Sequence, residues 1–306
     1  MKALYISPKN IILTLAIILT VFSCKKALEE EQASNESKSI ESFLSRNKLT
    51  FSKTNGVYHV TQKKSFGYQV AKGDTVRFDY VGYTLDGLVF ETNIKSEAKK
   101  AKLDTLVRTF EPLKVIIGKS NLIEGLENGL KLLREGEEAI IVFPSTMGYG
   151  GNALGLVEPN SPLAFYIKLI SVNGAKIQEE ISYISGLNLS SEGYTEHLSG
   201  LYYKFNPEGA GIEPTENDTI YGWYKGTLFD GTVIDEILTS NKMIVLSSKE
   251  LIEGVRQGFL LTKKDGVTEL ILPSYLGFGI KGNSKVKPYE TVKYMIRLDS
   301  IKNDNK

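Results

Sequence analysis

Cysteine is almost absent: the 306 residues hold one, Cys24. A single thiol builds no disulfide framework, so stability has to come from buried cores. Histidine is nearly as scarce. His59 and His197 stand alone, without cysteine or clustered carboxylates at ligand spacing. A structural metal site needs about four ligands, so no metal and no other cofactor is expected. An excess of one charge is also lacking: 37 basic side chains face 36 acidic ones, which leaves no electrostatic footprint for nucleic acid. The apolar run from Ile11 to Phe22 falls short of the roughly 20 residues that span a bilayer. Gly148-Tyr149-Gly150-Gly151 has neither the lysine and hydroxyl residue of a phosphate-cradling loop nor a helix pattern after it.

What is present begins with Lys2 and Lys9 ahead of that apolar run, the layout of an export signal over residues 1–23. The run ends in Val21-Phe22-Ser23-Cys24, which resembles a bacterial lipobox. That resemblance implies cleavage before Cys24, lipidation of its thiol (palmitate among the acyl chains), and anchoring at the outer membrane, on its periplasmic or cell-surface face. Residues 24–39 are polar and carry no apolar period, so they are expected to be a disordered tether. Glu29-Glu30-Glu31 within them resembles the surface-export signal of Bacteroidetes lipoproteins, and a plain solvated spacer is the other reading.

The rest of the chain says one thing twice. Gly125 and Gly254, Pro144 and Pro273, Pro159 and Pro288, and Phe165 and Tyr294 are each 129 residues apart. Upstream, Gly82 and Gly226, like Asp86 and Asp230, are 144 apart, so the first copy carries 15 extra residues between Gly87 and Gly125. One offset held across turn-like, helix-like and strand-like segments identifies two copies of one domain. The expected boundaries are 40–175, with the insertion near 94–109, and 176–306. Ile40, Phe43 and Leu44 match Ile181, Ile184 and Leu187 as short helical lead-ins. Residues 173–180 read equally as a free linker or a docked connection.

Within a copy, Gly56 to Gln62 and Thr75 to Val81 alternate apolar and polar residues, as half-buried antiparallel strands do. Asp86-Gly87 is a tight-turn signal. Leu122, Ile123, Leu126, Leu130 and Leu133 recur at three- and four-residue spacing, which predicts one short amphipathic helix over 122–134. Ala139 to Phe143 and Leu163 to Val172 read as strands on either side of a glycine-rich loop. The second copy repeats this order with strands at 200–205, 219–226, 268–272 and 291–301 and a helix at 251–261. The expected fold is therefore α+β: two tandem domains, each a curved antiparallel sheet wrapped on one short helix.

The order Asp-Gly turn, Leu-Ile-Glu-Gly, Pro-Ser, Gly-Tyr-Gly, Pro and apolar strand resembles the FKBP-type peptidyl-prolyl isomerases over nearly all of both domains. The resemblance implies an aromatic pocket between helix and sheet that takes proline-containing segments. In the first copy it assigns catalytic positions to Tyr80, Phe90, Glu91, Tyr149 and Phe165. Substrate-binding positions fall on Leu113, Leu122, Ile123, Leu126 and Val157, with the phenol of Tyr149 and the backbone N–H of Ile123 as donors to substrate carbonyls. Three residues depart from the family: Glu91 replaces the usual aspartate, Leu126 a frequent tryptophan, and Leu113 a common aromatic.

The second copy departs further. Tyr224, Asp235, Leu251 and Ile252 are kept, but Ile234 replaces the wall phenylalanine and Val255 the floor tryptophan. Lys242 stands where an aromatic is expected, Phe278 lacks the loop hydroxyl, and Tyr294 adds a hydroxyl that needs a partner if buried. The expected function is a lipid-anchored prolyl isomerase that helps exported or outer-membrane proteins fold, with turnover mainly in the first domain. The alternative is a non-catalytic scaffold subunit in an outer-membrane assembly, secretion or gliding complex. The lysine-rich insertion (Lys95, Lys99, Lys100, Lys102) is expected to be an exposed loop or short helix, with partner docking as the sharper reading. It precedes the helix, so it is not the chaperone insert that some relatives carry after the loop tyrosine.

Overall fold

Alternation becomes sheet in both copies of the computed structural model, which describes residues 28–239 and 242–302. The expected export signal and Cys24 lie outside the described residues. The first copy runs helix α1 (28–46), β1 (Ser52–Thr54), β2 (Val57–Lys63), β3 (Thr75–Thr84), β4 (Val89–Thr92), helix α2 (Lys95–Lys100), β5 (Leu113–Ile116), helix α3 (Glu124–Leu130), β6 (Glu138–Phe143) and β7 (Leu163–Asn173). Helix α4 (Ala175–Gly186) leads into β8 (Thr195–Glu196), β9 (Tyr202–Phe205), β10 (Thr219–Thr227), β11 (Val233–Ile237), β12 (Met243–Val245), helix α5 (Glu253–Leu261), β13 (Val267–Leu272) and β14 (Val292–Ile301).

Each copy forms an antiparallel sheet, in the orders β1-β2-β6-β7-β3-β4 and β8-β9-β13-β14-β10-β11, with β5 added on β3 and β12 on β10. The pairs Val76 with Val115 and Ile220 with Ile244 are the same rung in the two sheets. They place the 15 extra residues between β4 and β5, where α2 lies. The fold class is as expected, α+β in two like domains, each a sheet with the predicted helix against it, and in the first domain α1 adds a layer on the sheet through Ile40, Phe43 and Leu44, which cluster with Tyr58, Val60, Val142 and Ala164.

The repeated glycines have a packing reason. A Cβ on Gly125 would stand 2.2 Å from the Phe143 ring, and one on Gly129 would stand 2.2 Å from Ile141 Cδ1. In the second domain Gly254 and Gly258 meet Leu272 and Leu270 at 2.6 and 2.3 Å. The helix therefore lies on the sheet with no room for side chains on its contact edge, and Leu126, Leu130 and Leu133 are buried in one core with Phe143, Phe165 and Ile167. Gly125→Ala is expected to destabilise the first domain by about 2 kcal/mol, because overpacking outweighs the roughly 1 kcal/mol of helix propensity that alanine adds. Equilibrium urea unfolding measures it. Helix α3 is shorter than the predicted 122–134: Ile123 is its N-cap, and after Leu130 the chain turns before Gly136, so Leu133 reaches the core from a turn.

Residues 24–39 were expected to be disordered, and from residue 28 they are helical instead. Glu36, Ile40, Phe43 and Leu44 share one face of α1, and all are buried. The Glu36 carboxylate accepts the Ser145 backbone N–H and the Ser145 hydroxyl, both at 2.7 Å, and the Gln32 amide at 2.9 Å. Polarity alone misread this segment, because its anchor is a glutamate whose partner lies 109 residues away. Helix α4 repeats the arrangement 144 residues on. Glu180 accepts the Ser274 N–H (2.6 Å), the Ser274 hydroxyl (2.7 Å) and the Thr291 hydroxyl (2.8 Å).

The connection 173–180 is thus docked. Ile177 of α4 belongs to the first core, while Glu180 three residues later grips the second domain. Ile181, expected in the apolar lead-in, is exposed, and Leu187 follows the end of the helix. Tyr68 and Tyr275 meet edge-on across the junction, 4.7 Å between centroids.

Candidate functional site

In the first domain β3 and β7 run side by side, and β4 pairs with the far edge of β3. Inward-facing rings on these strands converge. Phe165 of β7 stacks on Phe143 (5.7 Å, 13°), meets Phe90 of β4 edge-on at 5.7 Å, and lies 6.2 Å from Tyr80 of β3. Gly82 makes this approach workable, since a Cβ there would stand 2.9 Å from both Phe165 and Phe90. Phe90 in turn meets Tyr149 edge-on at 6.3 Å. The strand-to-loop transition after Pro144 is a 3-10 turn, Ser145–Met147, closed by Gly148 and Gly150 N–H bonds to the Ser145 carbonyl. The Glu36 grip on Ser145 holds this turn, and Tyr149 projects from its end.

Leu113, Leu122, Ile123, Leu126 and Val157 belong to the same apolar cluster as Tyr80, Phe90, Tyr149 and Phe165. Leu126, Val157 and Phe165 are buried, and the others are half-buried. Ile123 at the N-cap places its N–H among the donors a helix start leaves without an internal partner. Tyr149 is half-buried, its ring edge-on to Phe90. Burial first, then the negative charge of Glu91, raises its phenol above the ordinary tyrosine value. Tyr80 is pushed up to about 12 by burial, then by Glu91 and Tyr149, with Arg108 acting in the opposite sense. Both phenols therefore stay protonated donors through neutral and mildly alkaline pH.

Arg108 was not among the residues singled out in the sequence. It comes from the insertion, and its guanidinium donates to Glu91 from Nε (3.1 Å) and Nη2 (3.4 Å). The insertion holds the expected short helix, α2, and is more than an exposed loop, because Arg108 ties its far end to Glu91 next to Phe90. The signal that could have found it is chemical, since Arg108 is the one arginine in a lysine-rich stretch and guanidinium suits a two-oxygen carboxylate partner.

The second domain places Tyr224, Ile234, Leu251, Ile252, Val255, Phe278 and Tyr294 together, but the result differs. Tyr294, 2 % exposed, lies 6.1 Å from Tyr224 and donates to Asp235 at 3.4 Å. Burial, then Asp235, raises the Tyr294 phenol well above the usual range and Tyr224 to about 12. The buried hydroxyl thus has its partner. Lys242 is exposed.

A family model, FKBP-type peptidyl-prolyl cis-trans isomerase, matches residues 67–170 and again 211–299, more than half of the chain and one stretch in each domain. The chain belongs to the FKBP family. Helices α1 and α4, with Glu36 and Glu180, lie outside the matched stretches. Among FKBP relatives, the outer membrane protein MIP of Legionella longbeachae is 32 % identical over 116 residues, 38 % of this chain and 50 % of that protein. The human peptidyl-prolyl cis-trans isomerase FKBP10 is 26 % identical over 234 residues, 76 % of this chain and 34 % of its own length. The crystal structure of FkpA from Escherichia coli aligns with 26 % identity and a TM-score of 0.37, covering 56 % of this chain and 75 % of that one. The chain spans a third to a half of the length of these curated relatives.

Proposed function

We propose that the protein is a peptidyl-prolyl cis-trans isomerase that assists the folding of exported or outer-membrane proteins, with turnover mainly in its first domain. The observation that carries this reading is the convergence of Tyr149, Phe90, Tyr80 and Phe165 beneath Leu122 and Ile123. Rotation about an X-Pro bond crosses a barrier of about 18–20 kcal/mol without making or breaking a covalent bond. Uncatalysed exchange takes tens of seconds or longer, slow enough to limit folding.

A catalyst must bind the twisted amide better than either planar form. Aromatic walls suit the proline ring and exclude water from the amide, which disfavours its charge-separated planar resonance form. The Tyr149 O–H and Ile123 N–H suit the carbonyls on either side of the rotating bond. Neither demands a proton transfer. In the second domain Tyr294 stands where the first has Phe165 and spends its hydroxyl on Asp235, the counterpart of Glu91, while Phe278 stands where the first has Tyr149 and offers no loop donor. This asymmetry supports turnover in the first domain. The altered second pocket also favours the second reading, a non-catalytic scaffold subunit of an outer-membrane assembly, secretion or gliding complex.

Anchoring through Cys24 at the outer membrane remains part of the proposal, on the lipobox resemblance. MIP, by its name, is an outer membrane protein, which supports the setting.

A protease-coupled assay on a proline tetrapeptide tests the reading. The purified chain is expected to exceed the blank at a rate flat from about pH 6 to 9, because the raised Tyr80 and Tyr149 values keep both phenols protonated across that range. A rate equal to the blank removes the isomerase and leaves the scaffold.

A further inference from the structure

The insertion that delivers Arg108 also holds two apolar side chains out in water. Leu106 is 93 % exposed and Val107 78 %. A single exposed leucine needs no explanation, but this adjacent pair is held in place from both sides. The Leu106 N–H donates to the Asp104 carboxylate at 2.8 Å, and Arg108 Nη1 donates to the Asp104 carbonyl at 2.8 Å while its other nitrogens hold Glu91. Arg108 is thus a bracket. It closes residues 104–108 on themselves and fastens their crown to the edge of the aromatic cluster at Glu91. Leu106 and Val107 stand two and one residues from that bracket, within about 7 Å along the chain. On the loop that starts at Tyr149, Leu154 and Leu156 are about half exposed beside the buried Val157. The second domain has no counterpart of the insertion.

Resting on the isomerase reading of the first domain, we propose that Leu106 and Val107 form a docking lip for the stretch of unfolded client next to the proline. The occupant is an extended polypeptide with apolar side chains beside the proline and an acidic residue further along. Two observations select it. The lip is tied to the pocket edge through Arg108 and Glu91, so a chain whose proline sits in the pocket has Leu106 and Val107 within reach of its neighbouring residues. The approach is basic: Lys99, Lys100 and Lys102 precede it, and among the described residues only Lys100 of the three is engaged by a carboxylate, Glu97 at 2.7 Å. Lysines at such a rim attract acidic segments and release them as salt rises.

The test uses the full chain and a labelled unfolded peptide of about 15 residues, extended over roughly 50 Å, with Leu-Pro at its centre, apolar neighbours and two aspartates beyond them. Fluorescence anisotropy gives its Kd, and a proline tetrapeptide is assayed in parallel. Leu106→Ser with Val107→Ser is expected to raise Kd about tenfold, the scale of partly burying two aliphatic side chains, and to lower the long-to-short ratio of kcat/KM by a similar factor. Lys99→Gln with Lys102→Gln is expected to raise Kd about threefold at low salt and to flatten its salt dependence. A Kd within about twofold of the unmodified chain for the Leu106/Val107 pair would overturn the lip, as would equal affinity for a peptide whose aspartates are replaced by asparagine. Tetrapeptide turnover by the unmodified chain judges the isomerase reading separately, since the Kd comparison needs no catalysis.

Discussion

Combining Tyr149→Phe with Phe90→Ala in one chain is expected to lower kcat/KM for a proline tetrapeptide about 100-fold, with the overall fold retained. The phenylalanine supplies a wall that touches both Phe165 and Tyr149, and truncating a half-buried ring of this kind forfeits about 2 kcal/mol. The phenol supplies one hydrogen bond to a carbonyl, worth about 1 kcal/mol net. Together these come to about 3 kcal/mol, and each 1.4 kcal/mol is roughly tenfold in rate. The single Tyr149→Phe variant should keep most of the wall and lose about fivefold. If the double variant turns over as fast as the unmodified chain, catalysis does not occur in this pocket. The matched wall change in the second domain, Ile234→Ala, is expected to leave the rate within about twofold, since that pocket lacks the loop phenol and its Tyr294 hydroxyl is spent on Asp235.

Glu180→Ala should be the most destabilising single substitution outside the aromatic cores. Its carboxylate takes three hydrogen bonds inside a buried junction, and their loss leaves the Ser274 N–H and two hydroxyls without partners. A loss of about 3 kcal/mol is expected, which lowers Tm by about 8 °C for domains of this size. Both domains should feel it, because Ile177 on the same helix belongs to the first core. Glu36→Ala, which removes the corresponding anchor of the first domain, should cost about 2 kcal/mol and act on that domain alone. Thermal unfolding followed by circular dichroism reads both. Glu180→Gln, which keeps an acceptor, should recover at least half of the loss. A melt unchanged by Glu180→Ala would remove the shared role of α4.

Much of the architecture could be read before any coordinates, for reasons particular residues make plain. Two copies in constant register fix the order of strands and helix, and the glycines at 125, 129, 254 and 258 recur because both helices press on the sheet at the same points. The aromatic residues of the first pocket lie on alternating strand positions, so their convergence follows from strand pairing. The buried hydroxyl of Tyr294 announced its need for a partner, and Asp235 provides it. Three features were not legible. The segment before Ile40 carries too few apolar residues to advertise a helix, the bracket made by Arg108 depends on a loop conformation, and the grip of Glu180 joins residues 94 positions apart.

Sequence by itself determined that this is a tandem of two like domains, with most of the aromatic set kept in one and more of it altered in the other, because periodicity and residue type act locally and survive in a linear string. Tertiary structure alone decided which charges meet: Glu36 and Glu180 on their serine turns, and Arg108 on Glu91. Such pairings are chosen by three-dimensional proximity and by the cost of leaving a buried polar group without a partner, and neither leaves a periodic trace along the chain.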